Sequence, residues 1–435
     1  MRRIGSVGLA IVLCGFISRQ LLAQSDEPRP NNPPAEPSIM VSGDLCTESM
    51  NPLESGCRTP PASPLISPPP DKKAEGLVGN ARRWDTQLTD RGVEPHLFIK
   101  TEITGALLRN PTPDQVDARS LLETSVTLDF QKIVDWQATK LFVSMHSFVG
   151  GNGSDDIVLD AQGYSNINAT PGTEPFELWI QKSILEGRFR LKVGRIDANT
   201  EFAYVEDASG FLNSSMGYSP SIAEMSSYPS PRTGAALFLV PSRFFYLSQG
   251  IFSNDRKGAM LISEGGVRWQ LPASELHGRV ALGYWRHTQQ FCDDADLTHD
   301  GAAGIYLVTE QDLLKQSSLK GAVRGLAVFF QYGNADPWSN EIDRHVGAGF
   351  QWSGPWARRP EDLLGVGASL VHLGPEVDSD YVGAYHHERA FEAFYRVQIT
   401  HWLSLTSDLQ FIDHPNGDPM CPRALAGTLR STINF

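Results

Sequence analysis

From residue 94 to residue 435 the hydrophobic pattern has period two, and it recurs in sixteen segments. No other feature limits the fold as much. A strand sends successive side chains to opposite faces, so an alternating segment has one apolar face and one polar face. The segments are 94–108, 119–131, 137–149, 175–185, 188–196, 233–240, 243–253 and 258–270, then 277–289, 302–312, 321–333, 344–353, 363–373, 388–400, 402–412 and 425–435. Most are near the ~9–11 residues that a tilted strand needs to cross a bilayer. An even number of such strands can close into one antiparallel sheet with no unpaired edge. The expected fold is all-β, a 16-stranded antiparallel transmembrane barrel.

The connections carry a second rhythm. After even-numbered segments most are short: Glu186-Gly187, Pro241-Ser242 and His401. After odd-numbered segments most are long: 150–174, 197–232, 290–301, 374–387 and 413–424. The turn at 254–257 and the stretches 313–320 and 354–362 depart from this rule. Short periplasmic turns and long outer loops are the habit of outer-membrane barrels. A soluble sandwich has no reason to sort its loops by length.

The alternation also assigns faces. In 391–400, Phe391, Ala393, Tyr395, Val397 and Ile399 oppose Glu392, Phe394, Arg396, Gln398 and Thr400. In 402–412, Leu403, Leu405, Leu409 and Phe411 oppose Trp402, Thr406, Asp408 and Gln410. Phe189, Leu191 and Val193 oppose Arg188, Arg190 and Lys192, and Val280, Leu282 and Tyr284 oppose Arg279, Trp285 and His287. Charged and amide side chains repeated along one face fit a water-filled lumen with lipid outside. The final segment, AGTLRSTINF, alternates in the same way and stops on Phe435, the expected assembly signal for the barrel-assembly machinery.

The other end reads as a secretory signal over residues 1–23. Arg2 and Arg3 precede an apolar stretch, Ile4 to Ile17, too short to remain as a spanning helix. Loss of this segment removes Arg2, Arg3 and Arg19, so the formal charge moves from −13 to −16. So acidic a chain is a poor partner for nucleic acid. Residues 24–75 form an expected flexible periplasmic extension, since 24–74 hold 12 of the 29 prolines. Residues 76–435 form the barrel domain, opened by a short helix at about 80–91 with Asn80 as N-cap and Gly92 as its stop. In an oxidising compartment Cys46 and Cys57 are expected to pair within the extension. Cys292 and Cys421 both fall in outer loops and are the second expected pair.

Two blocks carry a family resemblance. One is GRIDANTEF (194–202), followed by FLNSS (211–215), Gly217, Pro220, Tyr228-Pro229 and Gly234. The other is FEAFYRVQITHWLSLTSDLQFI (391–412). Together they resemble the carbohydrate-selective outer-membrane porins of the OprB type, over about residues 76–435. The resemblance implies a sixteen-stranded barrel in the outer membrane and passive, sugar-preferring diffusion into the periplasm. The chain departs from the family at VGNARRW (78–84), which keeps only part of a Gly- and Trp-rich helix, at HPNGD (414–418), where Asn-Pro-Gly-Gly is common, and in its long Pro-rich extension.

The 36-residue connection 197–232 is too long for a simple turn. It is expected to fold into the lumen as a constriction carrying Asp197, Glu201, Tyr204, Glu206 and Asp207. The wall would add Arg188, Arg190, Lys192, Glu392, Arg396, Trp402 and Asp408. Mono- and oligosaccharides suit such a lining, because hydroxyls pair with carboxylates and guanidiniums and C–H faces lie on aromatic rings. The loop could instead be an external cap. The basic run at 188–192 could also mark a general or anion-preferring porin. A secreted β-rich glycan-binding protein is the alternative from another class. No GxSxG, HExxH, CxxC or Walker sequence is present; His386-His387 beside Glu388 is a weak metal candidate, and Asp293, Asp294, Asp296 and Asp300 lack the spacing of a calcium hand, leaving loose divalent-ion binding or lipopolysaccharide bridging as their alternatives. No enzyme activity, cofactor or metal is expected. The expected partners are sugars, outer-membrane lipid and lipopolysaccharide.

Overall fold

The computed structural model describes residues 87–435 apart from 109–115, 152–156, 255–257, 272–275, 293–297, 318–322, 375–385, 419–420 and 422. The signal segment, the extension, Asn80 of the expected helix, Cys46 and Cys57 therefore lie outside the described residues. Sixteen strands follow in chain order. They are β1 (Val93–Leu108), β2 (Val116–Asp129), β3 (Thr139–Gly150), β4 (Gly172–Ile184), β5 (Phe189–Ile196), β6 (Arg232–Ser242), β7 (Phe245–Asn254) and β8 (Gly258–Gln270). Then come β9 (His277–Cys292), β10 (Thr298–Ser317), β11 (Val323–Ala335), β12 (Ile342–Ser353), β13 (Leu363–Leu373), β14 (His387–Thr400), β15 (Leu403–Asp413) and β16 (Ala424–Asn434). Each pairs with its chain neighbour, and β1 pairs antiparallel with β16 to close the barrel. Phe435 extends that seam, its N–H donating to Leu97 O at 2.9 Å.

The faces sort by polarity in the sense that lipid demands. Leu282, Leu409, Leu429 and Phe391 are exposed on the outside, whereas Glu102, Glu392, Asp408, Gln410 and Arg430 are buried inside. Around the short-turn end Trp136, Phe244, Phe245, Trp352 and Trp356 are exposed. An aromatic belt at that height is what a membrane–water boundary selects.

Two turns have identifiable chemistry. The β2 strand stops two residues short of its expected end, because Asp129 caps a helix, α1 (Phe130–Val134), its carboxylate accepting from Gln131 N at 3.0 Å. The 354–362 turn is organised by Asp362, which accepts from Arg359 Nε at 2.5 Å, Tyr395 OH at 2.5 Å and Gln398 N at 3.0 Å. Burial alone would raise this carboxyl's pKa, but those donors outweigh it and hold it below the usual carboxylate range.

Gly194 of β5 has φ +143°, and a Cβ there would fall 2.1 Å from Leu178 O and 2.6 Å from Trp179 Cα on the neighbouring strand. Only glycine fits both that dihedral and that approach. Gly194→Ala is expected to cost about 1–3 kcal/mol and to lower the temperature at which the detergent-folded barrel loses its compact gel mobility. An unchanged transition would contradict the close strand contact.

The lumen constriction

The 197–231 loop folds into the barrel and lies against its inner wall. Its descent starts at Asp197, whose carboxylate accepts from Asn199 N at 2.9 Å and from Ser227 Oγ at 2.8 Å. The Asp197 N–H in turn donates to Glu177 of β4 at 2.9 Å. This residue ties the two ends of the loop together and is fully buried.

Most of the wall's grip falls on the loop's main chain. Glu264 of β8 accepts from Ala203 N at 2.8 Å, Glu310 of β10 from Asp207 N at 2.9 Å and Gln351 of β12 from Gly210 N at 3.1 Å. Glu392 of β14 accepts from Leu212 N at 2.5 Å and Asn213 N at 3.0 Å. A loop inside a barrel has no strand to satisfy its N–H groups, so side-chain oxygens of the wall take that place. Aromatic contacts add to the anchoring. Phe211 meets Phe394 and Phe329 edge-on at 5.0 and 5.5 Å, and Phe202 meets Phe252 edge-on at 6.4 Å.

Two charged clusters follow. Glu201 is clamped between Arg190 and Lys192 of β5, with Oε2 2.6 Å from Arg190 Nη2 and Oε1 2.6 Å from Lys192 Nζ. Arg190 also lies over the Phe238 ring at 3.7 Å, and Lys192 over Trp179 at 4.1 Å. The other cluster is Arg279 of β9, bonded to Glu310 Oε2 at 2.7 Å and to the Tyr204 carbonyl, beside the exposed Glu206 and half-buried Asp207. Arg190 and Arg279 lie within three residues of the short-turn ends of β5 and β9, so the loop reaches far down the lumen.

A second loop also turns inward, which the alternation had not signalled. In the 151–171 connection Ile157, Val158, Tyr164, Gln162, Ser165 and Asn166 are buried. It bonds the first loop directly: Asn166 N donates to Leu212 O, and Ser214 N to Gly163 O, both at 2.8 Å. The available signal was the uncharged run GYSNIN (163–168), a composition suited to a polar interior.

The structure thus brings Glu201 of the loop onto Arg190 and Lys192 of the wall, sets Tyr204, Glu206 and Asp207 beside Arg279, buries Asp197 at the loop's start, and has Glu392 meet the loop at Leu212 and Asn213. Asp408 is buried on β15 with Gln410 Nε2 donating to it at 3.0 Å, and Arg396 is half-buried on β14. Two expected wall residues require correction. Arg188 is exposed in the 185–188 turn, where its N–H donates to Leu185 O, because β5 begins one residue later than the alternation suggests. Trp402 lies in the turn between β14 and β15, its carbonyl accepting from Asn434 N at 2.9 Å, at the height of the aromatic belt. Alternation continues through a tight turn, so it does not reveal where a strand stops. The wall contributes in their place Arg279, Glu310, Glu102, Arg119 and Arg430. Arg430 pairs with Glu102, and Arg119 Nη1 donates to Asn168 at 3.2 Å.

These features decide the class once they are set beside known proteins. The model of the family described as "Carbohydrate-selective porin, OprB family" matches residues 118–435. The chain belongs to that family. It is an outer-membrane porin, and its barrel is the family's diffusion channel. Porin B of Pseudomonas aeruginosa is 23% identical over 82% of this chain and 91% of its own length. The high-pH structure of Pseudomonas putida OprB superposes with a TM-score of 0.73 at 20% identity, covering 84% of this porin and 99% of that chain. The low-pH structure of the same protein gives 0.56 at 18% identity, with 84% and 100% covered. Both share the fold of this porin.

Of the cysteines, Cys292 ends β9 and Cys421 lies between β15 and β16, six strands away in barrel order. Cys421 Sγ is 3.4 Å from Asp418 Oδ2. Peptide mapping without reduction is expected to return the pairs 46–57 and 292–421, the second spanning the outer mouth. A 57–421 link would contradict the sidedness of the barrel.

Proposed function

We propose that this porin passes small sugars passively, with weak contacts at the 197–231 constriction and no catalysis. The observation that carries this reading is the mixed sign of the narrow region. Glu201 is held between Arg190 and Lys192, while Glu206 and Asp207 lie beside Glu310 and Arg279. Bases alone would favour anions and acids alone would favour cations. Both together on one ledge favour a neutral polyol, whose hydroxyls donate to one set and accept from the other. Binding has to be weak, since a solute held tightly enters and does not leave. Outer-membrane lipid and lipopolysaccharide surround the apolar band, and the barrel-assembly machinery inserts it. Reconstitution in a planar bilayer tests the function. Ion current is expected to fall on adding mono- or oligosaccharide, with weak selectivity between ions. Strong anion selectivity without sugar block would support the general-porin reading instead.

A further inference from the structure

On the outside of the barrel, at the long-loop ends of β12 to β16, the lipid face turns from apolar to basic. Arg344 is the third residue of β12 and His372 the last but one of β13. His387 and Arg389 are the first and third of β14, and Arg423 directly precedes β16. Arg344 pairs in register with His372, His372 with His387, and Arg389 with Asp413, the last residue of β15. Paired residues share a face, and side chains two apart on a strand share it too. One such step nearer the membrane centre, that face carries Val346, Leu370, Phe391, Phe411 and Leu425. Val346, Leu370 and Phe391 are exposed there. The cations therefore begin where the hydrocarbon band stops. Further round the same end, β1, β2 and β3 expose Leu107, Val116 and Val149 instead.

We propose that this basic sector seats the phosphorylated headgroup of a lipopolysaccharide molecule, with its acyl chains lying on the apolar residues below. This rests on the reading that lipopolysaccharide surrounds the apolar band, and it is independent of what crosses the lumen. The side chains of Arg344, Arg389 and Arg423 are 53%, 46% and 66% exposed. Asp413 accepts from Arg423 Nε at 2.7 Å and from Arg389 Nη1 at 3.4 Å. Asp343 Oδ1 lies 2.6 Å from His372 Nδ1 and 3.6 Å from Arg344 Nε, and Arg344 Nη2 lies 3.2 Å from His372 Nε2. Three guanidiniums thus share two carboxylates, which fix their positions and take up few of the five N–H donors that each carries. Such forks bind phosphate in a bidentate manner. Charge of this sign at the edge of the apolar band recognises anionic headgroups. The long loops mark the outer side of the membrane, so the leaflet at this edge is the glycolipid one. Spacing selects the headgroup. Neighbouring strands lie about 4.8 Å apart, so β12 to β16 span about 20 Å. Arg344 and His372 form one end of the sector, and Arg389 and Arg423 form the other. A sugar headgroup phosphorylated at both ends can engage both, whereas a phospholipid with a single phosphate engages one.

The test is native mass spectrometry of the detergent-folded porin titrated with three lipids. They are rough-type lipopolysaccharide with both phosphates, the same material after phosphatase treatment, and phosphatidylglycerol. The parent is expected to hold one molecule of the phosphorylated form at least about tenfold more tightly than either other lipid. Arg344→Gln/Arg389→Gln/Arg423→Gln is expected to lose that preference. Arg286→Gln, at an exposed arginine of β9 outside the sector, is expected to keep it. If the triple variant does not give a folded, heat-modifiable barrel, Arg344→Gln/His372→Gln leaves the Asp413 pairs intact and is expected to weaken binding at least about threefold. Unchanged binding by either folded variant overturns the proposal. So does a parent that binds phosphatidylglycerol or the phosphatase-treated form equally well, or one whose basic face holds a second copy of the porin in place of lipid. A parent that binds none of the three lipids also sinks the reading that lipopolysaccharide surrounds the band, whereas equal binding with and without phosphate sinks the headgroup seat alone.

Discussion

Replacing Glu201 and Asp207 together by alanine is expected to turn this porin strongly toward anions and to weaken sugar block. The geometry gives the reason. Glu201 is the shared counter-charge of Arg190 and Lys192, and Asp207 stands beside Glu206, Glu310 and Arg279. Without Glu201 the two cations lose the one carboxylate that both of them contact directly. A unit charge ~8 Å from a permeating ion in water changes its energy by about 0.5 kcal/mol, so the anion-to-cation ratio moves by about fivefold per charge. The effect is expected to shrink as salt rises, with a screening length of about 10 Å at 0.1 M. Reversal potential in a salt gradient and current block by sugar measure both consequences. If neither changes, the loop lies off the solute path and the proposed contacts are wrong.

The second large effect concerns sidedness. Leu429 and Arg430 are neighbours near the middle of β16, yet Leu429 is 53% exposed and Arg430 is 4% exposed. Inside, Arg430 pairs with Glu102. Outside, an arginine would meet hydrocarbon near the bilayer midplane at a cost of about 2–4 kcal/mol. Leu429→Arg is therefore expected to lower the folding equilibrium constant in lipid vesicles by about one and a half to three orders of magnitude, at about tenfold per 1.4 kcal/mol. Thr428→Ala, on the lumen face, serves as the matched control and is expected to fold. Equal folding of both variants would invert the face assignment.

Much of this was legible because a barrel writes itself in period two. Every expected strand has its counterpart, and β8 and β13 keep their expected bounds. Alternation named the inner residues Arg190, Lys192, Glu392 and Asp408 before their surroundings were known. It was silent where the periodicity ends. It ran on through Arg188 and Trp402, and it placed strand where Asp129 starts a helix. It also gave no account of the 151–171 loop, because inward folding is decided by distant wall partners such as Glu388, Glu102 and Arg430. Nothing near Glu388 in the sequence marks it as such a partner. Its role depends on Ala161 and Gln162, more than two hundred residues earlier.

The wall carboxylates and the Gln351 amide that seat the 197–231 loop hold its backbone N–H groups at Ala203, Asp207, Gly210, Leu212 and Asn213. This part of the fastening reads main chain, while Phe202, Phe211 and Glu201 add side-chain anchors. A position such as Asp207, gripped through its N–H, is thus mounted like an exchangeable insert: its side chain can be rewritten for another solute while the mount stays in register. Retuning such a channel can begin at those loop positions before any of the sixteen staves is altered.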